Sequence, residues 1–304
     1  MERKMKKTLL CLVLCLCFAL PAFAESTPYQ LPVDFSGGYK APDENYTQDT
    51  YEDESLSVRM EKRDIDGVRY DIAWIKMASP TQLRTAVAGQ PNEVVTKMPG
   101  SMSRALNAVV AINGEFYTQR KDGLIYRQGV PFRYDLNHRK DILVIDEAGD
   151  LHVFLANDSR TQEMMDFLQA GHTIVNAFTF GPALVKDGQF LPIPESYSVR
   201  DDGTARGLFD SCLPSPRMVV AQTGPLEYVF VEAEGRSAIS KGVTTDQMGQ
   251  FMVSLGVQTA YCVDGGNSCI MFFHGKYYDS TYKENEREIS DIIYVCSAVP
   301  DGGK

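Results

Sequence analysis

Apolar and polar positions along the chain divide it into many strands with few helices between them. LSVRMEKR (56–63) and VRYDIAWIKM (68–77) alternate well enough for two strands, joined by the turn DIDG. A short helix over SMSRALN precedes AVVAIN, a short buried strand that ends at Gly114. DILVIDEAGDLHVFL reads as a hairpin turning through Glu147-Ala148-Gly149-Asp150. FGPALVKDGQ is a strand leading into an Asp187-Gly188 turn. MVVAQ and LEYVFVEAEG make another hairpin across Thr223-Gly224-Pro225, and EISDIIYVC is the last strand. Two helices have clear signatures. SRTQEMMDFLQAG turns Met164, Phe167 and Leu168 inward and stops at Gly171. TTDQMGQFMVSLG opens on a Thr244/Gln247 capping box and carries Met248, Phe251, Met252 and Leu255 on one face, with Gly256 as its stop. Strands dominate without a βαβ rhythm. The expected fold is therefore α+β, a single domain with a mainly antiparallel or mixed sheet and a few interspersed helices.

The ends of the chain follow other rules. MERKMKK, the run TLLCLVLCLCFAL and Ala22-Phe23-Ala24 read as a signal peptide over 1–24, with cleavage expected before Glu25 and an uncleaved membrane anchor as the alternative, since the apolar run is short for a membrane span. Residues 25–55 are polar and acidic and read as a leader or linker, and the folded domain is expected over 56–304. The expected location is outside the cytoplasmic membrane: periplasm, cell wall or medium.

Charge then narrows the partners. The net charge is −10, and without residues 1–24 the chain keeps 26 basic and 39 acidic residues, a net of −13. That argues against nonspecific nucleic-acid binding and against a basic membrane-surface protein, while leaving room for an anionic substrate where arginines gather. Cys212, Cys262, Cys269 and Cys296 follow the signal segment; their even number permits disulfides, and a Cys262–Cys269 bridge across the tight loop between them is one candidate. There is no CxxC, and His138, His152, His172 and His274 show no metal-ligand spacing. His138, within RYDLNHRKD, is the least implausible acid/base among them.

Three strand ends share one design. Each leaves an apolar strand into glycine with polar groups beside it: Asn113-Gly114-Glu115, Phe180-Gly181-Pro182 and Asp264-Gly265-Gly266-Asn267-Ser268. Glycine permits close backbone approach, so a carboxylate beside it can meet a ligand. Any one of them alone is an ordinary turn, since Asp and Asn stabilise turns through their own backbone; three together suggest a shared cleft. Arg127, Arg217 and Arg236 stand at strand edges, where a guanidinium could hold a phosphate by two hydrogen bonds or form a surface ion pair. Residues 193–213 are polar, aperiodic and long enough for an active-site flap. No GxSxG, HExxH, P-loop or dinucleotide-binding glycine motif occurs.

In this order, AINGEFY, RQG, FGPALVKDG, a Pro-Arg before a strand, a Gly-Arg after the next, SKGVTTDQMGQFMVSLG and VDGGNS resemble the phosphodiester glycosidase family over residues 56–296. The resemblance implies an α+β domain and cleavage of the bond joining N-acetylglucosamine to a phosphodiester, with a carbohydrate phosphodiester as substrate. Carried over residue by residue, it matches Asn113 and Gly114 to an Asn-Gly, Arg127 and Gly129 to an Arg-x-Gly, and Gly181 and Pro182 to a Gly-Pro. It matches Arg217 and Arg236 to the Pro-Arg and Gly-Arg arginines, and Asp264, Gly265, Gly266 and Ser268 to Asp-Gly-Gly-x-Ser. Glu115 falls where the family has glycine or an acid. Asn267 replaces the usual third glycine, which would narrow the pocket or add a hydrogen bond.

The expected chemistry is hydrolysis of a glycosyl phosphodiester in envelope or extracellular glycans. The leaving group needs little acid assistance, but its charge must be held, and Arg217 and Arg236 suit that role. Asp264 and Glu115 are the candidate catalytic carboxylates, one to activate water or attack the anomeric carbon. Asn113, Gly114, Arg127, Gly181, Arg217, Arg236, Gly265, Gly266, Asn267 and Ser268 are the candidate binding residues. No cofactor is assigned, and a divalent cation on Asp264, Asn113 or Glu115 would fit the ligand types. The alternatives are a non-catalytic module that binds phosphorylated or acidic exopolysaccharide, and a phosphodiesterase acting on a non-sugar ester.

Overall fold

The computed structural model describes residues 38–90, 93–136, 139–198, 204, 211–278 and 287–300. The signal segment, His138 and much of the expected flap lie outside the described residues. In chain order, β1 (Thr50–Glu52), β2 (Leu56–Ile65) and β3 (Val68–Met77) form a meander, followed by β4 (Leu83–Val87). Helix α1 (Pro99–Ala105) leads into β5 (Val110–Asn113). Strands β6 (Leu124–Arg127) and β7 (Val130–Tyr134) fold back on each other; β8 (Ile142–Ile145) and β9 (Leu151–Phe154) are the expected hairpin. Helix α2 (Arg160–Gln169) precedes β10 (Asn176–Phe178), β11 (Ala183–Lys186) and β12 (Gln189–Phe190). The long hairpin β13 (Arg217–Gly224) and β14 (Glu227–Ala233) is followed by α3 (Thr245–Ser254) and β15 (Thr259–Cys262). Strands β16 (Met271–Phe273), β17 (Lys276–Tyr277) and β18 (Asp291–Val295) close the domain.

These strands build three sheets. The largest has eight strands in the order β1-β2-β3-β14-β13-β15-β11-β12; two five-stranded sheets run β7-β6-β10-β8-β9 and β17-β16-β5-β18-β4. The pairs within the named sheets are antiparallel, as in β13 with β15 and β5 with β18. One core joins all three sheets: Met60 and Phe230 from the first, Leu143 and Phe178 from the second, Ile112 and Ile293 from the third. The fold is thus α+β, with helices as minor partners. Helix α3 carries the predicted capping box, and Met248 and Met252 are fully buried beneath it. Among the described residues, no helix is long and apolar enough to cross a membrane.

Four sequence expectations need correction. The fold does not wait for residue 56. Strand β1 pairs with β2, Tyr51 has no exposed surface, and Tyr39 bridges to Ser297. Residues 38–55 are therefore packed structure, held by aromatic anchors in an otherwise polar stretch. Leu168 lies on the outer side of α2, 36% exposed, while Met164 and Phe167 face inward. Strands β4, β6 and β7 went unread because their short segments mix charged and apolar residues without clean alternation. Finally, Cys262 and Cys269 are buried thiols, not a bridged pair.

Candidate active site

Antiparallel pairing is what brings the site together. Where a strand ends, its neighbour begins. Strand β15 ends beside the start of β13, with Cys262 opposite Val219, and β14 ends with Ala233 opposite Arg217. On another sheet β5 ends with Asn113 opposite Ile292, one residue into β18. The glycine-bordered segments after β5, β10 and β15 and the first residues of β13 and β18 therefore gather at one place.

Asp264 stands at the centre. Its N–H donates to the Gly114 carbonyl at 3.0 Å, and its own carbonyl accepts from Asn113 Nδ2 at 2.8 Å. Asn113 also donates to the Gly114 carbonyl at 3.1 Å and accepts from the Ile270 N–H at 3.2 Å. With both sides of its backbone fixed, the Asp264 carboxyl accepts from the Gly265 N–H at Oδ1, 2.9 Å away, and lines a cavity of about 540 Å³. Burial raises its pKa above the ordinary aspartate value. The Ser268 hydroxyl, Arg287, the Gly265 amide and Arg120 pull the other way without overcoming it.

The cavity wall is strongly cationic. Arg120, Lys140, Arg217, Arg236 and Arg287 line it, and Asp264 is the sole acid among its described lining residues. Each cation is oriented by a neighbour. The Arg120 guanidinium lies over the Phe180 ring at 5.6 Å, Arg287 over Phe116 at 5.4 Å and Lys140 over Tyr197 at 4.0 Å. Arg217 donates to the Leu213 carbonyl at 3.0 Å. Arg236 donates to Asn267 Oδ1 at 3.1 Å and to Ser215 at 3.3 Å. Asn267, the residue that departs from the resemblance, thus adds a hydrogen bond to an arginine. Gly266 has φ +62°, a conformation that favours glycine, and a Cβ there would stand 3.3 Å from the Arg236 guanidinium, a tight contact. Phe116, Phe180 and Tyr197 supply apolar surface on the same wall.

The structure separates the predicted residues into two layers. Gly181, Arg217, Arg236, Asp264, Gly265, Gly266 and Asn267 line the cavity. Asn113, Gly114, Glu115, Arg127 and Ser268 are buried and do not. Glu115 lacks a catalyst's access. Its Oε1 accepts from Arg127 at 2.9 Å, and its Oε2 accepts from Arg120 at 2.7 Å and from the Thr179 N–H at 2.9 Å. Arg127 does not meet a ligand either. It bonds Asp291 Oδ2 through Nε at 3.0 Å and Nη2 at 2.6 Å, donates to the carbonyls of Tyr126 and Ala177, and stacks on Phe178 at 4.1 Å. Gly114 lies so close to Asp291 that a Cβ would come within 2.5 Å of its carboxyl. This lower layer is an ion-pair network, in which Asp291 is pushed up to about 7 by burial, with Arg127 opposing and Glu115 and Asp264 adding repulsion.

The proposed cation set fits poorly. Both Glu115 oxygens are taken, Asn113 Oδ1 accepts from Ile270, and neither side chain lines the cavity with Asp264. Sequence reading missed Arg120, Lys140, Arg287, Phe116 and Asp291. Lys140 lies within the RYDLNHRKD stretch that drew attention to His138, and Phe116 within AINGEFY, but Arg120, Arg287 and Asp291 carried no site motif.

The family model for phosphodiester glycosidases matches residues 106–296, well over half of the chain. The chain belongs to the phosphodiester glycosidase family. A curated relative, the SPbeta prophage-derived uncharacterized protein YomE of Bacillus subtilis (strain 168), is 26% identical over 203 residues. That match covers 64% of the present chain but 29% of the relative, so the chain spans less than a third of YomE's length. Among solved structures, the zebrafish N-acetylglucosamine-1-phosphodiester alpha-N-acetylglucosaminidase catalytic domain, auto-inhibited by its pro-peptide, superposes with a TM-score of 0.62 at 14% identity, covering 86% of this chain and 87% of that one. A hypothetical protein from Synechocystis gives 0.56 at 14% identity over 80% and 62% of the two chains. A putative exported protein of Burkholderia pseudomallei K96243 gives 0.53 at 14% identity over 76% and 74%. At these identities the likeness speaks for the fold. In this member of the phosphodiester glycosidase family, the cavity described above falls within the matched region.

Proposed function

We propose that the domain hydrolyses glycosyl phosphodiesters, releasing a free sugar and a phosphomonoester, and that it acts outside the cytoplasmic membrane on envelope or extracellular glycans. The observation that carries this reading is a cavity whose described lining has five cationic side chains around a single carboxylate, Asp264, in a chain whose net charge is −10. A phosphodiester brings a negative charge that such a wall holds, and a sugar ring brings apolar faces that suit Phe116 and Phe180.

In this mechanism water attacks the anomeric carbon while Asp264 takes its proton. The C1–O bond breaks with its electron pair going to the phosphate oxygen. Arg217 and Arg236 hold the charge that develops there. Asp264 must be ionised to act as the base, so its raised pKa sets the acid limit of activity. Glu115 and Arg127 act beneath the cavity as positioning residues. Asn113 sets the Asp264 backbone.

The test is incubation of the purified protein with UDP-N-acetylglucosamine and other sugar-1-phosphodiesters, following reducing sugar and phosphomonoester together, with Asp264→Asn alongside. Release of both by the wild type, and a loss of about 10²–10⁴-fold in kcat for the variant, is expected. Phosphate-containing product without reducing sugar would assign a phosphodiesterase. Saturable binding of phosphorylated glycan without turnover, unchanged in Asp264→Asn, would assign a binding module.

A further inference from the structure

Away from the cavity, the fold brings together two histidines that stand 20 residues apart in sequence, where spacing gave no ligand signal. Asp146 follows β8, His152 lies within β9, and His172 follows α2. Asp146 Oδ2 is 2.9 Å from His152 Nε2 and 3.3 Å from His172 Nδ1, and one donor atom from each of the three residues falls within 4.8 Å of the others. Among the described residues no other group of three His, Cys, Asp or Glu side chains converges in this way.

The surroundings hold these atoms in place. Asp146 is buried, and its Oδ1 accepts from the N–H groups of Ala148 and Asp150, both at 2.9 Å, which directs Oδ2 at the imidazoles. Phe167 stacks on His172 at 4.7 Å and meets His152 edge-on at 4.9 Å. Glu147 Oε1 is 3.6 Å from the same His172 Nδ1, while Glu147 Oε2 is engaged by Thr173. Both histidines face an open groove of about 430 Å³, which gives an ion a path in.

We propose that Asp146, His152 and His172 bind one zinc-class divalent cation, with the fourth position left to solvent from the open groove. Ligand atoms bonded to a tetrahedral zinc at about 2 Å stand about 3.3 Å apart, the scale of the separations found here. Two imidazoles and a carboxylate favour zinc, cobalt, nickel or copper over calcium or magnesium, which prefer all-oxygen cages. The site does not touch the substrate cavity. It clamps the β8–β9 turn to the segment leading into β10, so its effect is on stability.

The test is titration of the tag-free, chelator-stripped protein with Zn²⁺ by calorimetry, with Co²⁺ absorption reporting coordination geometry, for wild type, His152→Gln and His172→Gln. Glutamine keeps a hydrogen bond to Asp146 within reach, and circular dichroism in chelator verifies that both variants fold. Expected are one Zn²⁺ per chain, the intense visible Co²⁺ bands of a tetrahedral site, a metal-dependent rise in Tm, and at least about 100-fold weaker binding in either variant, since even outer-shell partners cost up to about that much. Absence of Zn²⁺ binding to the wild type would overturn the assignment. So would binding that both variants retain, or binding of Ca²⁺ as tight as that of Zn²⁺.

Discussion

The side-chain amide of Asn113 donates to the backbone carbonyl of Asp264 at 2.8 Å, across 151 residues of chain. The N–H of the same Asp264 donates to Gly114, the residue after Asn113. The Asn-Gly after one strand and the Asp-Gly-Gly after another are therefore two halves of one structure, and the first holds the second.

Replacing Asn113 by alanine leaves the Asp264 carbonyl and the Ile270 N–H buried without their partner, a loss of about 1–3 kcal/mol. The expected outcome is a lower denaturation midpoint together with a fall in kcat that exceeds any rise in KM, because the Asp264 carboxyl loses its fixed direction. Chemical denaturation and steady-state kinetics on one preparation check both. An unchanged kcat in a folded variant would remove Asn113 from its positioning role.

Activity is expected to fall as pH drops through a value above the ordinary aspartate range, because the pKa of Asp264 is raised by burial and the protonated form cannot accept a proton. Arg287 is among the groups pulling that pKa down. Substituting Arg287→Gln should therefore move the acid limb of the kcat/KM profile to higher pH. A limb that stays in place or moves to lower pH would separate it from Asp264.

Arg127 neutralises two buried carboxylates at once, Glu115 at 2.9 Å and Asp291 at 2.6 Å. Arg127→Leu leaves Asp291 without its cation and Glu115 with Arg120 alone, and is expected to cost about 3–5 kcal/mol. Adding Glu115→Gln should recover part of the loss, which a double-mutant cycle on urea denaturation would measure. If the two losses simply add, the ion pair carries no coupling.

Asp71, which does not line the cavity, supplies a second pH test. Burial, with Glu234 beside it and Lys62 opposing, raises its pKa from the usual 3.8 to about 8. The folded state therefore holds this proton more tightly than the unfolded state does. The resulting stabilisation is full at pH below about 4 and is lost as pH rises towards 8. Thermal melts of the wild type should show this decline, and Asp71→Asn should flatten it. An equal slope in the two proteins would mean that Asp71 ionises normally.

The sequence made much of this legible, but unevenly. The capping box of Thr244 and Gln247, the 56–65 and 68–77 strands and the three glycine-bordered strand ends could be read because each rests on a local rule of periodicity or backbone freedom. Which residue of each strand end faces the cavity was not readable. Glu115 and Asp264 look equivalent as acids beside glycine. They differ only in that Arg120, Arg127 and the Thr179 amide, all brought in by tertiary contact, enclose the first. Arg120, Lys140 and Arg287 were missed for the same reason, since a lone cation in a polar stretch has no pattern until the fold gives it a neighbour. Asp291 reads as one polar residue in a closing strand, and the role it plays comes from Arg127, 164 positions earlier.

The meeting of three sheets at one cavity also sets the smallest piece of the chain able to act. The family match begins at residue 106, after β1 to β4. Yet β3 flanks β14, which leads into Arg236, and β4 flanks β18, which opens on Asp291. A fragment trimmed to the matched span would bare the edges of both strands while retaining every residue of the cavity. Such a fragment would be chemically complete and mechanically unsupported, and the opening third of the protein works as the frame that holds the catalytic parts in register.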